Sequence, residues 1–508
     1  MLLGFATPED TKRHAENNSQ LTYQPLGQTG LSVSQIGFGG YRINEQNSAH
    51  REALTQALRN GINLIDTSAN YADGGSERLI GVVLLDLIKQ GRLSRKQVVI
   101  VSKGGYLQGE NFALSQQRKQ ENRPFPDLVT YSNQLEHCIH PEFLADQITR
   151  SLDRLQMDTL DVYLLHNPEY YLGWVKKIDT PVEQARLEYY RRLELAMRHL
   201  ENEVANGRIR AYGISSNSFP KSPDSYDFTS LEQVLEIAES ISPEHHFQVI
   251  QFPMNVLEPD AAVQPNQTAG QTLLQLAHSK NIATLINRPL NAVVGNNLIR
   301  LANLPPVQGN PDSGHVAHAI RLLQDEEARL QRAVFAIDIP FRTKQEFAAT
   351  TAAGRLLTER WSGFGTFSNW RDVRTGYLEP RSNFATQFLR NRPELPPEAE
   401  EWIQAYEASF QGALNNVTAY YRAQEIGMID GIRANLAAVE SQWRGTKTIS
   451  QAAVRALRTT QGITSVLVGM RHPNYVSDML TEAQISIPQA PHLTAWEMLA
   501  EAVSHSDE

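Results

Sequence analysis

A single cysteine, Cys138, is the only thiol in this chain of 508 residues. One thiol excludes an internal disulfide framework and suits a reducing compartment. No apolar run approaches the roughly 20 residues that a membrane-spanning helix needs. The opening Met-Leu-Leu-Gly-Phe stretch is too short and too uncharged for a secretory signal. Excess positive charge is missing as well. The net charge is −9, which argues against the basic face of a general nucleic-acid binder. Also lacking is a Gly-x-Gly-x-x-Gly turn between a strand and a helix, which weakens a doubly wound dinucleotide fold. With 41% hydrophobic and 20% charged residues the chain can bury a sizeable core. These absences predict a soluble, cytoplasmic protein with neither a membrane nor a nucleic-acid partner.

What is present is a repeating rhythm. Residues 23–34 read as a hairpin turning at Gly27 to Gly30, and 35–41 as a first strand with glycines that let a ligand approach. Helix and strand then alternate. Predicted helices 48–60, 76–89, 141–155, 181–205, 230–239, 270–280 and 450–458 each precede an apolar strand. The strands are 62–66, 97–102, 160–165, 210–215, 247–251, 282–287 and 463–468. Eight strands, each followed by helical material, predict an α/β fold closed as a (β/α)8 TIM barrel. Two segments break the rhythm, 104–140 and 291–445. The second is predicted to be mostly helical, over 317–332, 344–360, 397–424 and 430–443. Its aromatic run 361–370 is expected to anchor the insertion on the barrel. Both segments follow strands, so both are expected to wall or cover the end of the barrel where such enzymes work. The predicted division is a flexible segment 1–20, barrel 21–290, helical insertion 291–445 and a last barrel unit 446–508.

The barrel is organised around Asn63-Leu-Ile-Asp-Thr-Ser-Ala-Asn-Tyr71, where a buried strand opens into a loop. Asp66 is the first residue able to leave the core, and Tyr71 follows five positions later. Val98-Val-Ile-Val-Ser-Lys103 ends on a cation, and Leu160-Asp-Val-Tyr-Leu-Leu165 runs into His166. Alone, each residue has an ordinary structural explanation: a cap, a solvated lysine, a core histidine, a packed tyrosine. Together they suggest proton chemistry. A free phenol has a pKa of about 10. A nearby ammonium is expected to lower it, and a carboxylate is expected to hold that ammonium. A histidine can then orient a substrate oxygen. His137-Cys138-Ile-His140 does not complete a metal set, and no metal is expected.

These words resemble the aldo-keto reductase superfamily. The similarity runs through Leu-Gly-x-Thr-Gly-Leu at 26–31, Asp66-x-x-x-x-Tyr71 with Gly75-Ser-Glu77, Ser102-Lys103 and Leu165-His166. It continues through Gly213-Ile-Ser-Ser-Asn217, Gln251-x-x-x-Asn255 and Val468-Gly469, covering about 22–290 and 446–482. The 23–34 hairpin resembles the one that plugs the barrel floor in that family.

The resemblance implies a hydride transfer between NADP (or NAD) and an aldehyde, ketone or alcohol. Asp66, Tyr71, Lys103 and His166 would be catalytic, with Tyr71 as general acid or base. By the same resemblance Ser216, Asn217 and Gln251 would hold the carboxamide, with Gly40 and Tyr41 lining the nicotinamide ring. Asn287, Arg288, Leu290 and Asn291 would follow the pyrophosphate. Gly469, Met470, Arg471, Tyr475 and Asp478 would reach the adenosine end. The chain departs from the family at Met254, Tyr475 and Met479, where tyrosine, glutamine and asparagine are common. The alternative is a nucleotide-binding sensor or interaction subunit, like the potassium-channel beta subunits, with 291–445 as the surface for a protein partner.

Overall fold

The computed structural model describes residues 1–295, 297–309, 311–392 and 395–504. Two compact units divide the chain, Met1–Leu290 with Leu436–Glu508, and Asn291–Asn435. The first is a closed barrel of eight parallel strands. In chain order these are β1 (Ile36–Gly39), β2 (Leu64–Asp66), β3 (Val99–Gly104) and β4 (Leu160–His166). They continue as β5 (Ile209–Ser215), β6 (Phe247–Pro253), β7 (Ala283–Asn287) and β8 (Ser465–Val468). Sequential strands are neighbours, and β8 closes on β1 through Val466 with Ile36 and Val468 with Phe38.

The strands read as unbroken apolar runs because helices cover one face and the barrel interior fills the other. Val99, Ile100 and Val101 are all fully buried. The interior joins Leu64, Val101, Val162, Leu164, Val249 and Leu285 to Leu26, Leu31 and Val33 of the N-terminal hairpin. That hairpin pairs Tyr23–Pro25 with Ser32–Ser34 and is fastened to strand beginnings. Asn63, just before β2, accepts from the Ser34 N–H at 2.9 Å, and Gln248, the second residue of β6, accepts from the Gln28 N–H at 3.0 Å. The hairpin thus lies at the end of the barrel opposite the C-terminal strand ends. The helices follow ordinary rules. In Pro141–Leu155 the His140 side chain caps the first turn, proline opens it, and Phe143, Leu144, Ile148, Leu152 and Leu155 form the buried stripe.

Residues 1–20 are not a loose segment. Pro8–Asn17 is a helix whose cap, Thr7, accepts from the Asp10 N–H. The Ala6 N–H reaches the buried Asp161 carboxylate at 2.7 Å, and Leu2 bridges to Met157. The segment 104–140 also has structure of its own, a helix Gly109–Gln120 and a three-stranded antiparallel sheet of Tyr106–Leu107, Leu135–His137 and Val129–Ser132.

The second unit opens with a hairpin, Asn291–Val294 with Asn297–Arg300, which the helical reading of that stretch did not include. Helices follow at Ser313–Phe335, Phe341–Thr350, Ala353–Arg360, Phe367–Val373 and Glu379–Arg390. The predicted helix 344–360 is thus two helices. The predicted pair 397–424 and 430–443 is one helix, Ala399–Val439, running through Gly427 and Gly431. A helical glycine costs about 1 kcal/mol, less than the burial of Ile429 and Leu436 around that stretch returns. The aromatic run 361–370 fills this unit's own interior. Trp370 is fully buried there with Phe410 and Tyr421, and Trp361, Phe364 and Phe367 pack against them. Among the described residues no helix is long and apolar enough to cross a membrane.

Candidate active site

Three strands bring the four predicted residues together. Asp66 ends β2, Lys103 lies one residue from the end of β3, and His166 ends β4. Parallel neighbours in register place those ends side by side, with Lys103 opposite Leu164 and Asp66 opposite Val101. Lys103 is completely buried. Its Nζ donates to the Asp66 carboxylate at 2.7 Å, to the Thr67 carbonyl at 2.9 Å and to the Tyr71 hydroxyl at 3.3 Å. The half-buried Tyr71 ring stacks edge-on against His166, 5.9 Å between centroids, and against Tyr41 at 5.2 Å. Gly40 is required by packing: its N–H donates to the Asp66 carbonyl at 2.7 Å, and a Cβ there would stand 2.7 Å from the same oxygen.

Burial dominates the electrostatics. It pushes the Asp66 carboxyl up and the Lys103 ammonium down, and the contact between them opposes both shifts. The Tyr71 hydroxyl is held well above its ordinary value by burial first, then by Asp66 and Tyr41. This corrects the expected lowering by lysine. Asp66 sits 2.7 Å from the ammonium and largely cancels its field, so the phenol keeps its proton. Burial, with Lys103 and His137, drives His166 well below the usual imidazole value, so its ring is neutral.

The supporting residues escaped the sequence reading. Ser68 Oγ lies 3.0 Å from His166 Nδ1 and 2.7 Å from Asn70 Oδ1. His137 is a buried strand end with Nε2 2.7 Å from the His166 carbonyl, and among the described residues no metal-binding cluster occurs. Tyr106 packs edge-on against His166 at 4.7 Å and against Tyr170 at 5.1 Å, so aromatic rings extend outward from the tetrad. Position was the one available signal, since Ser68 falls between Asp66 and Tyr71.

The predicted nucleotide residues divide. Gln251 is committed to the tetrad, its Nε2 donating to Asp66 at 2.7 Å and its Oε1 accepting from Asn287 Nδ2 at 3.3 Å. Ser216 is buried beside it, donating its N–H to the Gln251 carbonyl at 2.9 Å. Asn217 is exposed, and its backbone N–H is held by Glu169 Oε1 at 2.8 Å. Tyr41, Gly469, Arg471 and Tyr475 are exposed, and Arg288 bonds Glu258 at 3.0 Å from a left-handed backbone. Leu290 is half-buried at the end of the barrel unit, and Asn291 begins the hairpin of the second unit. Met470 is fully buried, as is Met479, so neither presents a side chain to a ligand. Asp478 accepts from Gln451 at 2.8 Å and from Thr448, which ties two helices together.

Glu169 introduces a pH dependence. Its Oε1 also accepts from Asn167, its Oε2 completes no standard hydrogen bond among the described residues although Ser216 lies beside it, and burial raises the carboxyl to about 7 from 4.5. The folded state therefore binds a proton that the unfolded chain has released. Stability from this group falls as pH rises from about 4.5 through about 7, by on the order of 3 kcal/mol. Glu169→Gln should lack that loss. In urea denaturation the variant and wild type should diverge between pH 5 and 8, with the variant more stable at the higher pH.

The profile of the Aldo/keto reductase family matches residues 35–297, more than half of the chain. The chain belongs to the aldo-keto reductase family. Its relatives include an NADH-specific methylglyoxal reductase of Escherichia coli (strain K12), 29% identical over 150 residues. That match covers 28% of this chain and 40% of the relative. An aldo-keto reductase of Bacillus subtilis (strain 168) is 26% identical over 274 residues, covering 52% of this chain and 61% of its own length. The chain thus spans about half the length of these curated relatives. Among solved structures, a glycerol dehydrogenase from Gluconobacter oxydans is 17% identical with a TM-score of 0.44, covering 96% of this chain and 95% of that one.

Proposed function

We propose that the protein is an NAD(P)H-dependent oxidoreductase that interconverts an aldehyde or ketone and its alcohol. The observation that carries the reading is the joined Asp66–Lys103–Tyr71–His166 constellation at three strand ends. The surrounding residues suit a nicotinamide dinucleotide. Asn287 Oδ1 is buried without a partner among the described residues, next to Gln251 and on the strand after the one that carries it. An orphan acceptor of this kind suits the N–H of a carboxamide. Arg471 is exposed and forms no ion pair among the described residues, which suits a phosphate. When bound, a reduced nicotinamide supplies the hydride.

The chain's own work is proton handling and orientation. Tyr71, kept protonated by burial, donates from Oη to the carbonyl oxygen, and in the reverse direction takes the alcohol proton. Lys103 donates to the Tyr71 Oη and stabilises the phenolate as it forms, while Asp66 and Gln251 fix the lysine and the carboxylate. For neutral His166 to donate to substrate from Nε2, its Nδ1 must accept, so the Ser68 hydroxyl must turn its proton toward the ring.

Titration with NADPH and NADH, followed by nucleotide fluorescence, tests the reading alongside turnover on a carbonyl panel. Saturable binding of at least one nucleotide with turnover is expected. Absence of binding to either would overturn the reading, and binding without turnover on any carbonyl would move it to a nucleotide-responsive sensor.

A further inference from the structure

The helical unit carries a partly open cavity of about 190 Å³, bounded by residues of Asn291–Asn435 alone. It is smaller than the roughly 300–1,000 Å³ of drug-sized sites, so its occupant is small. Its walls are of two kinds. Ala349, Ala353, Leu356 and Phe410 give an apolar lining, whereas Arg355, Arg381, Tyr377, Tyr406 and Ser382 bring polar groups to the same space.

Three features distinguish this cavity from a packing gap. Two cations, Arg355 and Arg381, line the same cavity, and neither forms an ion pair among the described residues. Arg381 is nevertheless held in place, donating to the Ala349 carbonyl at 3.2 Å with its guanidinium 4.9 Å from the Tyr377 ring centroid. The fully buried Tyr406 hydroxyl, beside Ser382, completes no standard hydrogen bond among the described residues. Third, Tyr377 and Leu378 enter the cavity from a π-helical turn, Arg374–Leu378. Such turns insert a residue at some cost to helix geometry and recur at functional sites. Arg374 pins this one through Glu379 at 2.7 Å and Thr418 at 2.9 Å. The carboxyl facing Tyr406 from the neighbouring helix is Glu327. It accepts from the Gly354 N–H at 3.0 Å, and burial raises it to about 7, which weakens its opposition to a second anion.

We propose that this cavity binds a small organic carboxylate, its charge between Arg355 and Arg381 and its apolar body against Leu356 and Phe410. The site is separate from the barrel chemistry and does not depend on it. The phenols of Tyr377 and Tyr406 donate to the carboxylate, and the alanines set the limit on size.

The test is titration of the full chain with 4-fluorophenylacetate, followed by fluorine NMR, with 4-fluorophenylacetamide as the uncharged control. Saturable binding of the acid is expected, with the amide at least tenfold weaker, since a charge-assisted pair contributes roughly that factor or more. Arg355→Ala, at an exposed position, and Arg381→Ala should each weaken the acid by about tenfold. Tyr406→Phe should weaken it less, and its circular dichroism will show whether the helical unit still folds. Failure of the acid to saturate the wild type would overturn the proposal. Equal binding of acid and amide would do so too, as would affinity unmoved by both arginine changes.

Discussion

Tyr71→Phe is expected to lower carbonyl turnover by about 10²–10⁴-fold, the usual contribution of a positioned proton donor, with nucleotide affinity left essentially unchanged. The substitution is a narrow one. A phenylalanine keeps the edge-on contacts with Tyr41 and His166 and the position under the Lys103 ammonium, 4.8 Å from the ring centroid. Only the hydroxyl that Lys103 reaches at 3.3 Å is lost. The loss should therefore appear in kcat rather than in KM for the nucleotide. Because burial keeps the phenol protonated, wild-type reduction should show no decline from Tyr71 ionisation through neutral pH. Steady-state kinetics of both proteins on one aldehyde, with fluorescence titration of the nucleotide, separates the two effects. A variant within roughly tenfold of wild type would mean that the proton comes from elsewhere, and the assigned role would fail.

How far this site could be read in the sequence depended on what each residue's position was tied to. Asp66, Lys103 and His166 were legible because each lies at or next to the end of an unbroken apolar run, and strand ends in a closed parallel barrel must converge. Tyr71 followed from its fixed distance to Asp66. The direction of its proton affinity did not follow, because it depends on how completely Asp66 cancels Lys103 at 2.7 Å. Gln251 was assigned to a ligand but spends one donor on Asp66, a choice of side-chain direction that no spacing encodes. Met470 was assigned to the adenosine end, yet alternation along the chain turns it into the core while Gly469 stays outside.

The same division runs through the fold. The Thr7-Pro8 start of the first helix was a readable cap signature, outweighed by the polar composition around it. The 104–140 sheet was harder, since strands of two to four residues leave almost no alternation to detect. In the helical unit the predicted break between 424 and 430 does not occur, because tertiary burial carries one helix through it.

Lys103→Met tests the ion pair on which the tetrad is built, and its largest effect should be on stability. Both partners are buried, and deleting one charge of such a pair costs about 3–5 kcal/mol because the other is left without compensation. Asp66 would keep the Gln251 donor at 2.7 Å but lose the ammonium, so protonation becomes its route to neutrality. The sign of the pH dependence follows. In the variant the folded state holds a proton that the unfolded chain releases above about pH 4, so stability falls as pH rises, by up to about 1.4 kcal/mol per unit. The deficit relative to wild type should be small in acid and large at pH 8, as read from urea denaturation midpoints. Adding Asp66→Asn to the variant should recover much of it, since two uncharged groups replace an uncompensated one. Turnover should stay low in both variants, because neither restores the cation beside Tyr71. Recovery of stability without recovery of turnover would separate the two roles of Lys103, holding the barrel mouth together and supporting the proton donor. A deficit that is the same at both pH values and untouched by the second substitution would show that the two charges are not coupled.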